Sequence, residues 1–311
     1  STQAKTLFPY TTLFRSLHRP EKPNGACVVI CPGGGYRIVA STGISRGDRE
    51  YQQDQLALLA HPRDSGCVLG VVADGMGGRS GGRKASDQVM LTARQLFEHF
   101  TPSHDEPEAF LRQVVREAHM VIKLTAIAAE QEPHSTLAAA LVMPDGSCHW
   151  VHAGDSRVYH FRDRHLVART RDHSWVESLV ERGELKPDQA RQDPRSNVLL
   201  SCLGTEQEPV LAHHRTGTLQ AGDTLLACSD GLWHYFSDEE LSQVIEQLFL
   251  IAADPEAGLT QDEFDPAADP LSDLIDQPGQ RLGQTVADEA ALWGADLIVV
   301  GTHGRRGVGR V

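Results

Sequence analysis

A layered α+β domain is the fold class that the middle of this sequence predicts, and three observations carry the expectation. Two long segments repeat apolar residues at helical spacing, several shorter segments of strand length alternate with turn residues, and three of the strand-like runs end at an aspartate beside a glycine. A helix with one apolar stripe must lay it on the apolar face of a sheet. Strands joined by short turns pair as antiparallel hairpins, so the two kinds of segment stack in layers.

In chain order, the run Val68-Leu69-Gly70-Val71-Val72-Ala73 leads into Asp74-Gly75-Met76-Gly77-Gly78. Ala85, Val89, Ala93, Leu96, Phe97 and Phe100 then recur at helical spacing, and Leu111, Val115, Ala118 and Ile122 form a second helical face. Strands are expected over Thr136 to Met143, Ser147 to Ala153, Arg157 to Phe161 and His165 to Thr170, with Pro144-Asp145-Gly146 as the first turn. The Ser147 strand ends at Gly154-Asp155-Ser156-Arg157, and the run Thr224 to Cys228 ends at Ser229-Asp230-Gly231-Leu232. Ser237-Asp238-Glu239-Glu240 is a capping box opening a helix through Leu250.

The aspartates that follow three strands are placed to reach one end of a sheet. Glycine beside each lets backbone carbonyls approach an ion. Carboxylate and main-chain oxygens suit Mg²⁺ or Mn²⁺ rather than Zn²⁺, which prefers Cys and His. That donor set points to phosphoryl chemistry. Read singly, an Asp-Gly pair is a turn and Asp155 a structural residue. Arg49 alone is a surface charge, and His134, His152, His213 and His214 lack ligand spacing and read as structural or exposed.

The formal net charge of -13 over 311 residues disfavours nucleic acid and anionic membrane as partners and is compatible with concentrating divalent cations. The length allows two domains, or one large domain with appendages. Cysteines 27, 31, 67, 148, 202 and 228 lie mostly in apolar runs without a Cys-x-x-Cys pair, which predicts buried free thiols in a reducing cytosol over a disulfide framework. No apolar run approaches the roughly 18 residues of a membrane span, and the N-terminus lacks signal-peptide order. A soluble, cytoplasmic chain is the expectation; its oligomeric state is left open.

The flanks read differently. Residues 6 to 16, within a non-domain stretch 1–16, resemble the in-frame translation of a sequencing-library adapter, against the alternative of an ordinary loop. Cys27-Val28-Val29-Ile30-Cys31-Pro32-Gly33-Gly34-Gly35-Tyr36, within a fragment 17–40, resembles the oxyanion-hole strand and loop of acetyl-esterase-like α/β-hydrolases. Gly43-Ile44-Ser45-Arg46-Gly47 satisfies Gly-x-Ser-x-Gly, but with no strand before it and no apolar helix after it the match is read as accidental. Residues 251–279 carry Asp254, Glu256, Asp262, Glu263, Asp265, Asp269, Asp273 and Asp276 with no Lys or Arg, the pattern of a solvated linker. Residues 280–311 end in the run Asp296 to Val300 and a Gly-x-x-Gly loop from Gly301 to Gly304, similar to the C-terminal part of universal stress proteins. A nucleotide-phosphate site there requires helix and sheet neighbours that this stretch lacks.

Residues 41–249, within a domain expected over 41–250, resemble the metal-dependent protein serine/threonine phosphatase family, type 2C, in its bacterial form. Arg49-Glu50-Tyr51-Gln52-Gln53-Asp54 matches the family's early Arg-x-x-Asn-Gln/Glu-Asp stretch. The resemblance implies that Arg49 clamps substrate phosphate, that Asp54 belongs to the metal shell, and that Asp74 bridges two metals while the Gly75 carbonyl ligates one. It further implies that Asp230 ligates the first metal and Asp155 a third, weaker one. Asp172-His173-Ser174 and Asn197 through Gly204 match further landmarks. The implied fold is an α-β-β-α sandwich of two antiparallel sheets covered by helices, truncated at its C-terminal end. The implied reaction is hydrolysis of phosphoserine and phosphothreonine in proteins by a hydroxide shared between two Mn²⁺ or Mg²⁺ ions. Some members carry a histidine after the Asp-Gly pair as a candidate acid; here Met76 stands there.

The family also closes with Gly-x-x-Asp-Asn before a last strand, and that aspartate is another ligand of the first metal. The resemblance ends near Phe249, and Gly258-Leu259-Thr260-Gln261-Asp262-Glu263 has the wrong spacing to replace the motif. An impaired phosphatase is therefore the leading expectation. A catalytically silent phosphate or phosphoprotein-binding module, a nucleotide-binding stress module and a stitched assembly product with no native function stand as alternatives.

Overall fold

The computed structural model describes residues 24–33, 37–46 and 51–242, apart from 65, 130, 131, 164, 221, 222 and 235, with side chains described from residue 51 onward except 78, 79 and 127–129. The adapter-like stretch 6–16, the loop residues 34–36, Arg49 and the segments 251–279 and 280–311 lie outside the described residues.

The strands are β1 (Asn24–Gly33), β2 (Arg37–Arg46), β3 (Gln55–Ala60), β4 (Val68–Ala73), β5 (Gly75–Met76), β6 (His134–Ser135), β7 (Leu137–Val142), β8 (Ser147–Ala153), β9 (Arg157–Arg162), β10 (His165–Arg169), β11 (Ala212–Thr218) and β12 (Asp223–Cys228). The helices are α1 (Gly78–His99), α2 (Pro107–Ala129), α3 (Trp175–Glu181), α4 (Pro187–Ala190) and α5 (Asp230–Trp233). Among the described residues two five-stranded antiparallel sheets result, in the orders β10-β9-β12-β1-β2 and β11-β8-β7-β4-β3, with β5 and β6 as a small separate ladder.

Alternation of side chains along each strand builds two cores at once. Leu69 and Val71 of β4 and Leu137, Ala139 and Leu141 of β7 pack with Val89, Ala93 and Phe97 of α1 and Leu111, Val115, Ala118 and Ile122 of α2. The intervening residues Val68, Val72, Ala138, Ala140 and Val142 point the other way and meet Val158, Leu225 and Ala227 of the facing sheet. Strands buried on both faces read as unbroken apolar runs, which is why β4 and β7 were visible in the sequence. On β9, Val158 faces the inter-sheet core while Arg157, Tyr159 and Phe161, buried on the opposite face, lie on the side where α5 packs against β1 and β12. The layered α+β architecture expected from the sequence is thus present.

Both long helices present their expected faces: Ala85, Val89, Ala93, Phe97, Phe100, Leu111, Val115, Ala118 and Ile122 are buried, and Leu96 is partly buried against the same core. α1 starts without a side-chain cap at Gly77, whose φ of 113° is left-handed. The Ser237 capping box forms, with Ser237 N–H donating to Glu240 Oε2 at 2.7 Å and Glu240 N–H to Ser237 Oγ at 3.1 Å. Ser174 Oγ caps α3 by accepting from Glu177 N–H at 3.2 Å. Ser174→Ala should cost about 1 kcal/mol in a urea unfolding experiment.

Residues on both sides of position 40 belong to one hairpin: β1 pairs with β2 and with β12 inside the first five-stranded sheet. A strand does accompany the Gly-x-Ser-x-Gly match, contrary to the sequence expectation. Ser45 lies within it, opposite Gly25, rather than on the strand-to-helix turn that a nucleophile requires. Cysteines 67, 148, 202 and 228 are all buried, those at 67, 148 and 202 as free thiols, and burial pushes the Cys67 thiol up to about 12 and Cys202 to about 11. Among the described residues no helix is long and apolar enough to cross a membrane.

Candidate metal centre

The sheet topology delivers the aspartates. β4 and β8 both run antiparallel to β7, so they point the same way and their C-terminal ends carry Asp74 and Asp155 on one edge of the sheet. β3 runs antiparallel to β4 with Gln55 opposite Ala73, which sets Asp54 at that same edge. Asp230 comes from the other sheet, at the end of β12. The sequence expectation of three carboxylates at the end of a single sheet is corrected here: the site spans the end of the sandwich.

Hydrogen bonds among motif neighbours bolt these segments together. The Asp74 N–H donates to Thr136 Oγ1 at 2.9 Å, and the Asp74 carbonyl accepts from the Thr136 N–H at 2.9 Å and from Ser135 Oγ at 3.1 Å. The Thr136 hydroxyl shares a 2.6 Å hydrogen bond with Ser156, the residue after Asp155. Ser229, the residue before Asp230, donates through Oγ to Asp54 Oδ2 at 3.1 Å. Trp233 Nε1–H, one turn after Asp230, donates to the Asp155 carbonyl at 2.8 Å. Every acid-bearing segment is therefore tied to another through a neighbouring hydroxyl or indole.

Glycine enforces the close approach at Gly75, where an added Cβ would strike the carbonyl of Gly82 and lie 2.8 Å from the Gln53 carbonyl. Gly154 takes φ of 100°, and a Cβ there would meet Thr136 Cγ2 at 2.7 Å. Behind Asp155, the Arg157 guanidinium grips Asp172 with two bonds of 2.7 Å and donates to the Tyr159 hydroxyl at 3.0 Å.

Burial, then the charges of Asp230 and Asp172, push the Asp155 carboxyl well above the usual carboxylate range. A cation offsets such crowding, and the donors are the hard oxygens that Mn²⁺ and Mg²⁺ take. Among the described residues no three His, Cys, Asp or Glu side chains gather closely enough to hold a metal unaided. Main-chain carbonyls and water would have to complete a shell, a mode of binding usual for Mg²⁺. The donor chemistry fits such ions on those terms.

His173 stands beside Asp172 and stacks on His152 at 4.4 Å. Its Nδ1 accepts from Gly154 N–H at 3.3 Å, and burial, then the neighbouring His152, hold its pKa down to about 4. The unfolded chain binds this proton below about 6.5 and the folded chain only below about 4. The neutral ring's contribution is complete above 6.5 and is lost as pH falls toward 4. The melting temperature at pH 5.5 should lie about 3–6 °C below that at pH 7.5, and His173→Gln should shrink the gap.

The sequence reading singled out Asp54, Asp74, Gly75, Asp155 and Asp230 but not Thr136, Ser156, Ser229 or Trp233. Ser156, Ser229 and Trp233 flank the acidic motifs, which is the one signal that could have raised them.

This arrangement has a family. A model described as Protein phosphatase 2C matches residues 45–263, more than half of the 311-residue chain, and the chain belongs to that family. The match runs past Phe249 and takes in Asp262. Serine/threonine phosphatase stp of Listeria monocytogenes is 30% identical over 208 residues, covering 63% of this chain and 82% of the relative. The structure of the Mycobacterium tuberculosis serine/threonine phosphatase PstP/Ppp aligns with a TM-score of 0.55 at 27% identity, over 80% of this chain and 88% of that one. The PstP catalytic domain in complex with two manganese ions aligns at 0.53 with 25% identity, over 87% and 94%.

Proposed function

We propose that this chain is a Mn²⁺- or Mg²⁺-dependent phosphatase that removes phosphate from phosphoserine and phosphothreonine in proteins. Asp54, Asp74, the Gly75 carbonyl, Asp155 and Asp230 are its metal-binding groups. The observation that carries the reading is the set of hydrogen bonds, Asp54 to Ser229, Trp233 to Asp155 and Ser156 through Thr136 to Asp74, that fixes four carboxylate segments at one end of the sandwich. Its family membership and the two manganese ions of the PstP complex support the same reading.

Divalent ions in such a site supply an activated water and neutralise phosphoryl oxygens. The chain's own residues do the rest. Asp74 and Asp230 would hold these ions, Asp155 would hold a third and weaker one, and Arg49 would clamp the phosphate through its planar fork, which Lys could not do bidentately. With Met76 after Gly75, no side chain at that position donates a proton to the leaving oxygen. Within the family match, Gly258-Leu259-Thr260-Gln261-Asp262-Glu263 departs from the spacing of the family's closing motif, and on that sequence ground the first metal would bind weakly and the enzyme would be impaired.

Phosphate release from a phosphothreonine peptide should require added Mn²⁺, stop with EDTA and resume when Mn²⁺ is restored. A second reading, a silent phosphoprotein-binding module, draws on the absence of a three-side-chain metal cluster among the described residues. Peptide binding without turnover at any Mn²⁺ concentration would select it.

A further inference from the structure

We propose that Trp233 and Arg157 form a clamp that positions Asp155 for its metal and couples it to Asp230, which makes Trp233 a positioning residue of the centre. The proposal deepens the metal-centre reading above and rests on it.

Indole has a single polar hydrogen and no acceptor, so a buried Trp N–H finds one partner or none. Trp233 is 5% exposed and spends that hydrogen on the Asp155 carbonyl at 2.8 Å. Its ring is held on the other side as well, because the Arg157 guanidinium carbon lies 3.6 Å from the ring centroid. Arg157 is held in place, since Asp172 takes it bidentately and Tyr159 accepts a third bond.

The turn that carries Asp155 is therefore fixed at both ends. Before it, the Gly154 carbonyl accepts from His173 N–H at 2.9 Å, and the Gly154 N–H is bonded to the His173 ring. After it, Arg157 is locked to Asp172. The Asp155 carbonyl is the remaining anchor, and Trp233 alone supplies its side-chain donor among the described residues. Trp233 ends the one-turn helix α5 that Asp230 begins, so a shift of either acid is transmitted through the indole. Nothing in this network requires a charged donor at Trp233. It requires a flat group that stacks on Arg157 and carries an N–H at its far edge, and only indole among the aromatic side chains meets both conditions without titrating.

The test is Trp233→Phe in the full chain, which keeps a ring against Arg157 and deletes the donor. Titration calorimetry with Mn²⁺ should show the weakest detectable Mn²⁺ site losing about fivefold to tenfold in affinity. The Mn²⁺ concentration for half-maximal hydrolysis of an aryl phosphate should move by a similar factor, with the effect on the Mn²⁺ requirement exceeding that on kcat. A merely structural role would lower the melting temperature and leave the Mn²⁺ isotherm unchanged, and that result overturns the clamp. Should Trp233→Phe fail to fold, Asp172→Asn reads the same linkage, since it keeps the shape but weakens the grip on Arg157. A weaker Mn²⁺ site then supports the clamp, and an isotherm identical to wild type overturns it. Wild-type protein that binds Mn²⁺ but releases no phosphate would defeat the catalytic reading while the calorimetry still decides on the clamp. Wild-type protein that binds no Mn²⁺ overturns both.

Discussion

Asp74→Asn should lower kcat for metal-stimulated hydrolysis of an aryl phosphate by about 10³-fold or more, because the carboxylate proposed above to hold the metal ions would lose its charge, a loss worth several kcal/mol of transition-state stabilisation. The fold should barely notice. The Asp74 main chain is held by Thr136 and Ser135 through bonds that do not involve the carboxylate. Asn has nearly the same volume and keeps one oxygen, so the packing of this buried position survives. A melting temperature within a few degrees of wild type, together with lost activity, assigns the residue to chemistry rather than to folding. Activity retained within about tenfold would show that Asp74 does not bridge metals.

Asp172→Ala should destabilise the domain by about 3–5 kcal/mol in urea unfolding. Both members of the pair are nearly fully buried, with side chains 8% and 5% exposed. Burial works against the Arg157 charge, and Asp172 outweighs it, holding the guanidinium firmly protonated. Removing the carboxylate leaves a buried cation with only the Tyr159 hydroxyl and the Trp233 face as partners among the described residues. Replacing both residues by apolar ones of similar volume should restore much of the loss, because the cost lies in the orphaned charge rather than in the absence of an ion pair. Equal destabilisation by the single and the paired replacement would contradict that account.

Much of the helical and inner-strand framework was legible because it rests on period. The faces of α1 and α2 repeat at 3.6 residues, and β8 occupies the expected Ser147–Ala153. β11 was missed because an edge strand needs no apolar face: Ala212-His213-His214-Arg215-Thr216-Gly217-Thr218 pairs with β8 on one side and is largely exposed. α3 was missed because a seven-residue helix with two buried side chains carries too little periodicity to stand out. The hairpin of β1 and β2 was invisible as part of this sheet, since its partner β12 lies far along the chain.

The site shows the same division. Its carboxylates announce themselves through glycine and a preceding strand, whereas the groups that tie them together do not. Ser229 reaches Asp54 across 175 positions and Thr136 reaches Asp74 across 62, and a hydroxyl's role is set by which strand it faces rather than by its own neighbours. The distribution of the acids over two sheets was hidden for that reason. Each strand end was readable, but strand order is a property of long-range pairing.

The central claim is that Asp54, Asp74, Asp155 and Asp230 serve one metal centre, and Mn²⁺ binding by titration calorimetry on the full chain tests it most directly. Wild-type protein should take up two Mn²⁺ ions tightly and a third more weakly at Asp155; Asp230→Asn should weaken one of the tight pair, and Asp74→Asn should weaken both. A wild-type isotherm that Asp74→Asn leaves unchanged would contradict the account.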